Sequence, residues 1–223
     1  GREIDASALS YKSGDGFLGQ AQGRSNQSAV FLDTTGRTYT LPVANLASAR
    51  GYGEPLTGKL SPPDGARFIS VLLGNPEDLY LLATDAGYGF ICAFDDLLSR
   101  NKAGKVVLTV PEGAEILPPL LVASLETERL AVVSSSGRLL LFPVNDLPRL
   151  PKGKGNKIID LPGEERLTAL TLLPLDQNLI LTAGKRDMKL KPADLEGYAG
   201  ERGRRGKPLP RGFQRVERLA AGE

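Results

Sequence analysis

Apolar and polar positions along the chain follow the same pattern four times. Residues 29–46, 80–97, 130–147 and 179–195 each hold an apolar run, a small polar turn, a second run that alternates with period two, and an Asn or Asp before a closing leucine. The closing leucines are Leu46, Leu97, Leu147 and Leu195, and the first three turns contain Gly36, Gly87 and Gly137. Two β-rich runs around a short glycine turn are typical of a hairpin. The pattern therefore predicts four β-hairpins at nearly equal intervals.

Further short apolar segments lie between these hairpins, at residues 68–73, 116–125 and 167–174. Each unit therefore holds about four short strands, and four-stranded units with a period of roughly 40–50 residues are typical of blades in a propeller-like array. A blade cannot bury its face alone, so we expect neighbouring blades to pack against each other. Helical periodicity is nearly absent, and 16 prolines and 26 glycines punctuate the chain. An ordinary β-sandwich with chance internal similarity is the alternative fold.

The repeat pattern also predicts the domain organisation. We expect one all-β domain over residues 1–223, a propeller-like array of about five blades in which the first is truncated, because residues 1–28 resemble part of another blade. The expected divisions are a partial first blade with its loop over 1–60, repeat units over 61–110, 111–160 and 161–218, and a tail over 219–223. The opening residues read like the middle of a longer chain, which indicates a fragment.

Composition excludes several classes of site. Apolar residues make up 41% of the chain, which is enough for a core, but there is no histidine and Cys92 is the one cysteine. The absence of histidine rules out Ser-His-Asp triads, histidine bases and histidine metal ligands. A single cysteine rules out cysteine zinc sites and a disulfide framework. No signal peptide is recognisable, and no apolar run approaches the roughly 18 residues of a membrane span. We therefore expect a cytosolic protein with no catalytic residue and no metal site.

Charge is distributed unevenly along the chain. The formal net charge is only +2, yet residues 185–218 hold eleven Lys or Arg against five Asp or Glu. A basic segment on a nearly neutral body indicates a polyanionic partner.

The segment after each closing leucine contains glycine and is usually basic, as in "LSRNKAGKVVL" after Leu97 and "PRLPKGKGNKII" after Leu147. A charge that recurs at one structural point in each blade falls on one rim of the array. Lys and Arg at such points suit the repeated phosphates of a duplex, and glycine lets the main chain approach them closely. The alternative is that these are solvated loops in which glycine serves only the backbone. The run of cations from Arg202 to Arg218 favours the first interpretation for the fourth loop.

These loops resemble the glycine-rich basic box of the family formed by the C-terminal domains of GyrA, from DNA gyrase, and ParC, from topoisomerase IV. The resemblance covers nearly the whole chain and is closer to the topoisomerase IV branch. The segments that carry it are "GRSNQSAVFLDTTGR" (23–37), "SARGYGEPLTGKL" (48–60), "ATDAGYGFICAFDDLLSRNKAGK" (83–105), "FPVNDLPRLPKGKGNKII" (142–159) and "GERGRRGKPLPRGFQR" (200–215). It implies a β-pinwheel, a propeller-like ring or broken ring in which each blade exchanges a strand with its neighbour.

The resemblance also implies a function. Pinwheels of this family bind a double-stranded DNA segment on the outer rim and help to select the segment that a type II topoisomerase transports. The gyrase box Gln-Arg-Arg-Gly-Gly-Lys-Gly, which the family links to DNA wrapping, is incomplete here, since "GERGRRGKP" (200–208) lacks the Gln and the Gly-Gly pair. We therefore expect binding and bending for decatenation and relaxation without full wrapping.

The implied parent enzyme is an ATP-dependent isomerase that acts in the cytoplasm at the nucleoid, and a peripheral membrane association is compatible with it. Its partners would be ParE, the ATPase of topoisomerase IV, and a second copy of ParC, both bound through the rest of the chain. Its catalytic tyrosine, ATP and Mg²⁺ would lie outside this fragment, which itself would need no cofactor and no small-molecule substrate.

The expected DNA contacts are the cations of the recurring loops. They are Arg50, Arg100, Lys102, Lys105, Lys152, Lys154, Lys157, Arg202, Arg204, Arg205, Lys207 and Arg211. Arg24, Arg37, Arg138 and Arg186 are weaker candidates, because arginines beside turns often only solvate or cap them. A protein-interaction propeller whose basic rim docks an acidic partner is the alternative function, and a propeller hydrolase is a third that the absence of histidine disfavours.

Overall fold

The computed structural model describes residues 9–48 and 53–223, and strands dominate these ranges. The strands are β1 (Ser28–Asp33), β2 (Arg37–Pro42), β3 (Phe68–Leu72), β4 (Leu79–Ala83), β5 (Tyr88–Ala93), β6 (Lys105–Val106), β7 (Leu120–Val122), β8 (Glu128–Ser134), β9 (Arg138–Pro143), β10 (Asn156–Lys157), β11 (Leu167–Pro174), β12 (Asn178–Ala183), β13 (Arg186–Leu190), β14 (Lys207–Pro208) and β15 (Arg218–Gly222). Single helical turns α1 (Phe94–Leu97) and α2 (Pro192–Leu195) follow β5 and β13, and 3₁₀ turns lie at Val43–Asn45, Leu56–Gly58, Val144–Asp146 and Glu196–Tyr198. In neither described range is there a helix with the length and apolarity that crossing a bilayer requires.

The four predicted hairpins are confirmed as the antiparallel pairs β1–β2, β4–β5, β8–β9 and β12–β13. The first turn shows why the chain reverses where it does. Asp33 is fully buried, and its Oδ1 accepts hydrogen bonds from the backbone N–H of Thr35 (2.8 Å) and of Arg37 (3.1 Å). The Tyr39 hydroxyl donates to Asp33 Oδ2 at 2.6 Å. Burial, together with the neighbouring carboxylate, raises the pKa of the Tyr39 phenol well above its ordinary value.

Each sheet is completed by strands that come later in the chain. The third strand pairs with the first strand of the hairpin, as β3 does with β1 and β7 does with β4. The fourth strand pairs with the second strand of the hairpin and comes from the segment that follows the next hairpin. In this way β6 joins β2, β10 joins β5 and β14 joins β9. The predicted all-β pinwheel is therefore confirmed, and a blade in space draws strands from more than one repeat in sequence.

The sequence predicted about five blades with the first truncated, and the described residues form four sheets. The described residues form three four-stranded sheets and a final three-stranded sheet, β13-β12-β15. Residues 9–27, the described part of the segment 1–28 that resembles part of another blade, hold no strand, and nearly all of them are exposed. Their polar and glycine-rich sequence has no period-two apolar pattern that could cover a sheet. The incomplete sheet among the described residues is thus the last one.

The hydrophobic core lies between successive sheets. Phe90 of β5 packs with the first sheet, while the next residue, Ile91, packs with the third sheet. Likewise Val132 of β8 faces the second sheet and Val133 faces the fourth. Successive residues of a strand point to opposite faces, so the two middle sheets are buried on both sides.

The exchanged segments add apolar residues to these layers. Val107, which directly follows β6, is fully buried between the first and second sheets. Ile158, after β10, is buried between the second and third sheets, and Leu209, after β14, between the third and fourth. Each exchange therefore buries a side chain in addition to pairing two residues of backbone.

The two ends of the array differ. The free face of the first sheet contains Phe31 and Tyr39 and is covered by Leu56 and Leu60 from the segment after the first hairpin. On the fourth sheet, Asp187 and Lys189 lie on the face opposite the buried Leu181, and both are exposed. A polar terminal face is how stacked arrays end in water. The array is therefore open at the fourth sheet.

Candidate nucleic-acid interface

The second, third and fourth predicted basic loops each leave a closing leucine and run to the fourth strand of the preceding sheet. Leu97 and Leu195 are fully buried at the ends of α1 and α2. Asp96 accepts a hydrogen bond from the N–H of Ala93 (3.3 Å), and Asp194 accepts one from Lys191 (3.2 Å), which stabilises both helical turns. Asp96 and Asp194 therefore act as turn residues.

Glycines at the start of the fourth strands allow the close approach that strand exchange requires. Gly155 has a φ of 84°, and a Cβ added there would stand 2.1 Å from the carbonyl oxygen of Gly89. Gly206 has a φ of 79°, and its Cβ would stand 2.7 Å from the oxygen of Leu139. A side chain is excluded at both positions by sterics and by the left-handed backbone.

Successive loops are joined to one another by backbone hydrogen bonds. The joining bonds run from Ser61 N–H to Lys102 O (2.8 Å), from Thr109 N–H to Gly153 O (2.9 Å), from Asp160 N–H to Arg204 O (3.0 Å) and from Gly203 N–H to Ile158 O (2.9 Å). The loops therefore form one continuous edge of the array. We call this edge the basic rim and define it as residues 53–61, 98–109, 148–160 and 196–209.

The second loop places its three predicted cations on this rim. Arg100 and Lys102 are exposed. Lys105 lies in β6 and is half-buried, and its Nζ donates to the carbonyl oxygen of Leu98 at 3.3 Å. Two of the three side chains are therefore open to a ligand.

The third loop carries exposed Lys152, Lys154 and Lys157. Lys154 Nζ lies 4.2 Å from the ring centroid of Tyr88, a cation–π contact that orients it over the second sheet. Lys157 forms an ion pair with Asp160 at 3.2 Å.

The fourth loop has the densest charge, and most of its cations have partners. Arg202 donates from Nη1 to the oxygen of Lys157 at 2.7 Å, which ties the fourth loop to the third. Arg204 pairs with Glu201 (3.1 Å) and Arg205 pairs with Glu165 (2.8 Å). Lys207 is exposed in β14.

Two predicted residues lie apart from this group. Arg211 is exposed but follows β14, beyond the rim. Arg50 lies outside the described residues. Among the weaker candidates, Arg138 donates from Nη1 to the oxygen of Gly206 at 2.9 Å, so it supports the fourth loop.

Two further cations of the rim, Lys59 and Arg149, are not among the predicted contacts. Lys59 pairs with Glu54 at 3.1 Å, and Arg149 is exposed where the third loop begins. A repeated Gly-Lys dipeptide was the available signal for Lys59, since it occurs at 58–59, 104–105, 153–154, 184–185 and 206–207. The described ranges contain no cluster of three or more Cys, Asp or Glu side chains arranged to hold a metal ion.

Comparison with known proteins agrees with this architecture. The family described as DNA gyrase C-terminal domain, beta-propeller, matches residues 78–123 and 128–174, which contain β4 to β7 and β8 to β11. The A subunit of DNA topoisomerase 4 from Pseudomonas aeruginosa is 56% identical over 98% of this chain, and the one from Escherichia coli K12 is 48% identical over the same share. The chain spans 30% of the length of each of these relatives.

A solved structure decides the family. The E. coli ParC C-terminal domain is 47% identical, superposes with a TM-score of 0.91, and is matched over 92% of its length by the whole of this chain. The chain belongs to the family of ParC C-terminal domains. In this ParC C-terminal domain, the basic rim is the part of the surface that combines the cations of the repeated loops with the exchanged strands.

Proposed function

We propose that this domain binds double-stranded DNA along the basic rim, without sequence preference, and bends it. The observation that carries the proposal is the continuity of the rim, in which hydrogen-bonded loops of successive blades hold their cations along one edge. A duplex presents phosphates at regular intervals, and each phosphate neutralised by Lys or Arg releases condensed counterions.

The geometry favours bending. The contact points belong to different sheets of one array, so a straight duplex would reach the cations of few loops at once. Smooth bending of 20–30 base pairs by 40–90° costs about 1–6 kcal/mol, which additional phosphate contacts can offset. Exposed aromatic side chains that could stack on bases are not found among the described rim loops, where the half-buried Tyr198 is the one aromatic residue. Binding should therefore depend on charge and deformability more than on base identity.

The family membership extends the proposal to the parent protein. There the domain would hold the transported DNA segment of a topoisomerase IV during decatenation and supercoil relaxation. The remainder of the chain would assemble with a second copy of ParC and with ParE in the cytoplasm, at the nucleoid. Cleavage and ATP hydrolysis would take place outside this domain.

Charge reversal on the rim tests the proposal. Lys152→Glu combined with Arg204→Glu changes two exposed cations on neighbouring loops, and Arg37→Glu combined with Arg67→Glu makes the same change in charge beside the first hairpin turn. Filter binding of duplex DNA over a salt series should show a much larger loss for the rim variant. Its slope of log K against log salt should be shallower by about 1.8, because about 0.9 is lost for each phosphate contact.

Two results would contradict the proposal. Equal losses for both variants would place the DNA elsewhere on the surface. Failure of the unaltered domain to bind duplexes, together with salt-dependent binding of an acidic peptide, would favour the protein-docking alternative.

A further inference from the structure

Besides Lys59, which pairs with Glu54 in the first loop, three rim cations are already paired with carboxylates of their own chain. Lys157 lies 3.2 Å from Asp160, Arg204 lies 3.1 Å from Glu201 and Arg205 lies 2.8 Å from Glu165. All three cations belong to the third and fourth loops. A phosphate that binds any of them must compete with its carboxylate.

Two of these pairs are exposed and can exchange partners easily. The side chains of Arg204 and Glu201 are 75% and 79% exposed, and those of Lys157 and Asp160 are both 46% exposed. Exposed pairs contribute little free energy because water solvates both partners when they separate. A phosphate can therefore replace either carboxylate at little cost.

The pair between Arg205 and Glu165 is different. The Glu165 side chain is only 18% exposed, and its Oε2 is buried without a hydrogen-bond partner in the described structure. Oε1 accepts its hydrogen bond from Arg205 Nη2. If Arg205 turned toward a phosphate, a largely buried carboxylate would lose the cation that compensates it, which is strongly unfavourable.

We propose that Glu165 restrains Arg205 and withholds this cation from DNA, so that the rim binds more weakly than its number of cations suggests. This inference rests on the proposed DNA-binding function. Glu165 precedes β11, whereas Arg205 precedes β14, and these strands are the opposite edges of the third sheet. The pair therefore holds the fourth loop against the third sheet. It makes Glu165 a residue that determines affinity without contacting the ligand.

The restraint can be removed with little change in shape. Glu165→Gln keeps the size of the side chain and removes its charge, and Glu164→Gln removes one charge from the exposed neighbouring residue. We expect Glu165→Gln to bind duplex DNA several-fold more tightly at 50 mM salt, while Glu164→Gln changes affinity much less. Glu165→Gln should make one more phosphate contact. Between 50 and 200 mM salt its affinity should therefore fall about threefold more than that of the unaltered domain.

A double-mutant cycle isolates the restraint from the general effect of charge. Arg205→Ala should weaken binding only slightly in the unaltered domain, because the cation is withheld there. In the Glu165→Gln background the same substitution should remove the gained affinity. Arg205→Ala leaves the Glu165 carboxylate without its cation, so a thermal scan checks the folding of both single variants. The double variant lacks both charges and should bind about as tightly as the unaltered domain, which remains informative if either single variant folds poorly.

The outcomes separate this inference from the proposed function. If the unaltered domain binds duplex DNA but Glu165→Gln behaves like Glu164→Gln, the restraint is wrong and the function stands. The same conclusion follows if Arg205→Ala weakens binding equally in both backgrounds. If the unaltered domain does not bind duplex DNA at all, both are wrong.

Discussion

Replacing Gly155 with alanine tests whether close backbone approach holds the third loop on the rim. The new Cβ would stand 2.1 Å from the oxygen of Gly89, at a residue whose φ is 84°. The left-handed backbone costs an alanine about 1–2 kcal/mol. Forcing an extra carbon into packed structure costs about 1–3 kcal/mol more. We therefore expect Gly155→Ala to lower the free energy of unfolding by about 2–5 kcal/mol, the sum of these two effects.

Gly203→Ala provides a matched control. Gly203 lies in the fourth loop with a φ of 82°, but the nearest atom to its added Cβ would be the oxygen of Lys157 at 3.6 Å, an ordinary contact. Gly203→Ala should lower the free energy of unfolding only by the cost of the left-handed backbone, about 1–2 kcal/mol. Urea unfolding measures both losses, and each kcal/mol should also lower Tm by about 2–4 °C for a chain of this size.

Hydrogen exchange shows where Gly155→Ala acts. The N–H of Ile158 donates to the oxygen of Gly87 at 2.7 Å, directly beyond β10. If β10 detaches from β5, this amide should exchange faster, and amides of the first sheet should not. Equal losses of stability in the two glycine variants, with unchanged protection of Ile158, would refute the role assigned to Gly155.

Two predictions concern the buried groups of the first two sheets. Tyr39→Phe removes the hydroxyl that donates to Asp33 at 2.6 Å, so urea unfolding should show a loss of about 1–3 kcal/mol, and a loss below about 0.5 kcal/mol would contradict this. Burial raises the pKa of the Cys92 thiol to about 12. Above about pH 8.5 the unfolded thiol loses its proton before the folded one does, so stability should fall by up to about 1.4 kcal/mol per pH unit. Cys92→Ala should remove this part of the decline when urea unfolding is repeated from pH 8 to pH 10, and an unchanged decline would contradict the assignment.

The sequence was most informative where period-two alternation and a glycine turn coincide. The run before Gly137 and the run after it became β8 and β9, and Phe142, in the second of these runs, is 1% exposed. Local chemistry also identified the closing turns, since Asp96 and Asp194 act within three residues of their own positions.

Strand exchange could not be read from local pattern. The fourth strands β6, β10 and β14 pair over only two residues each, which is too short for any periodicity. Their partners lie on a hairpin earlier in the chain, so only the three-dimensional packing selects them. The resemblance to a known family supplied this feature in advance, because the residues themselves do not encode it locally.

The sequence predicted a basic surface, but not which of its cations form ion pairs. Clustered cations near glycine predicted basic loops, whereas the engagement of Arg205 by Glu165 joins positions that are 40 residues apart. A lone cation such as Lys59 did not stand out, because its loop contains few others. Charge density along a sequence therefore predicts a basic surface, but the availability of each cation depends on contacts from distant segments.

The donation of each fourth strand by the following unit has a consequence for biosynthesis. As the chain leaves the ribosome, the hairpin β1–β2 emerges well before β6, the strand that finishes its sheet. The first blade must therefore wait, with one edge open, until the second hairpin and its loop have been translated. Completion then passes from blade to blade toward the C terminus, and a chain that stalls between Pro42 and Lys105 would display an unpaired edge to chaperones and to other nascent chains.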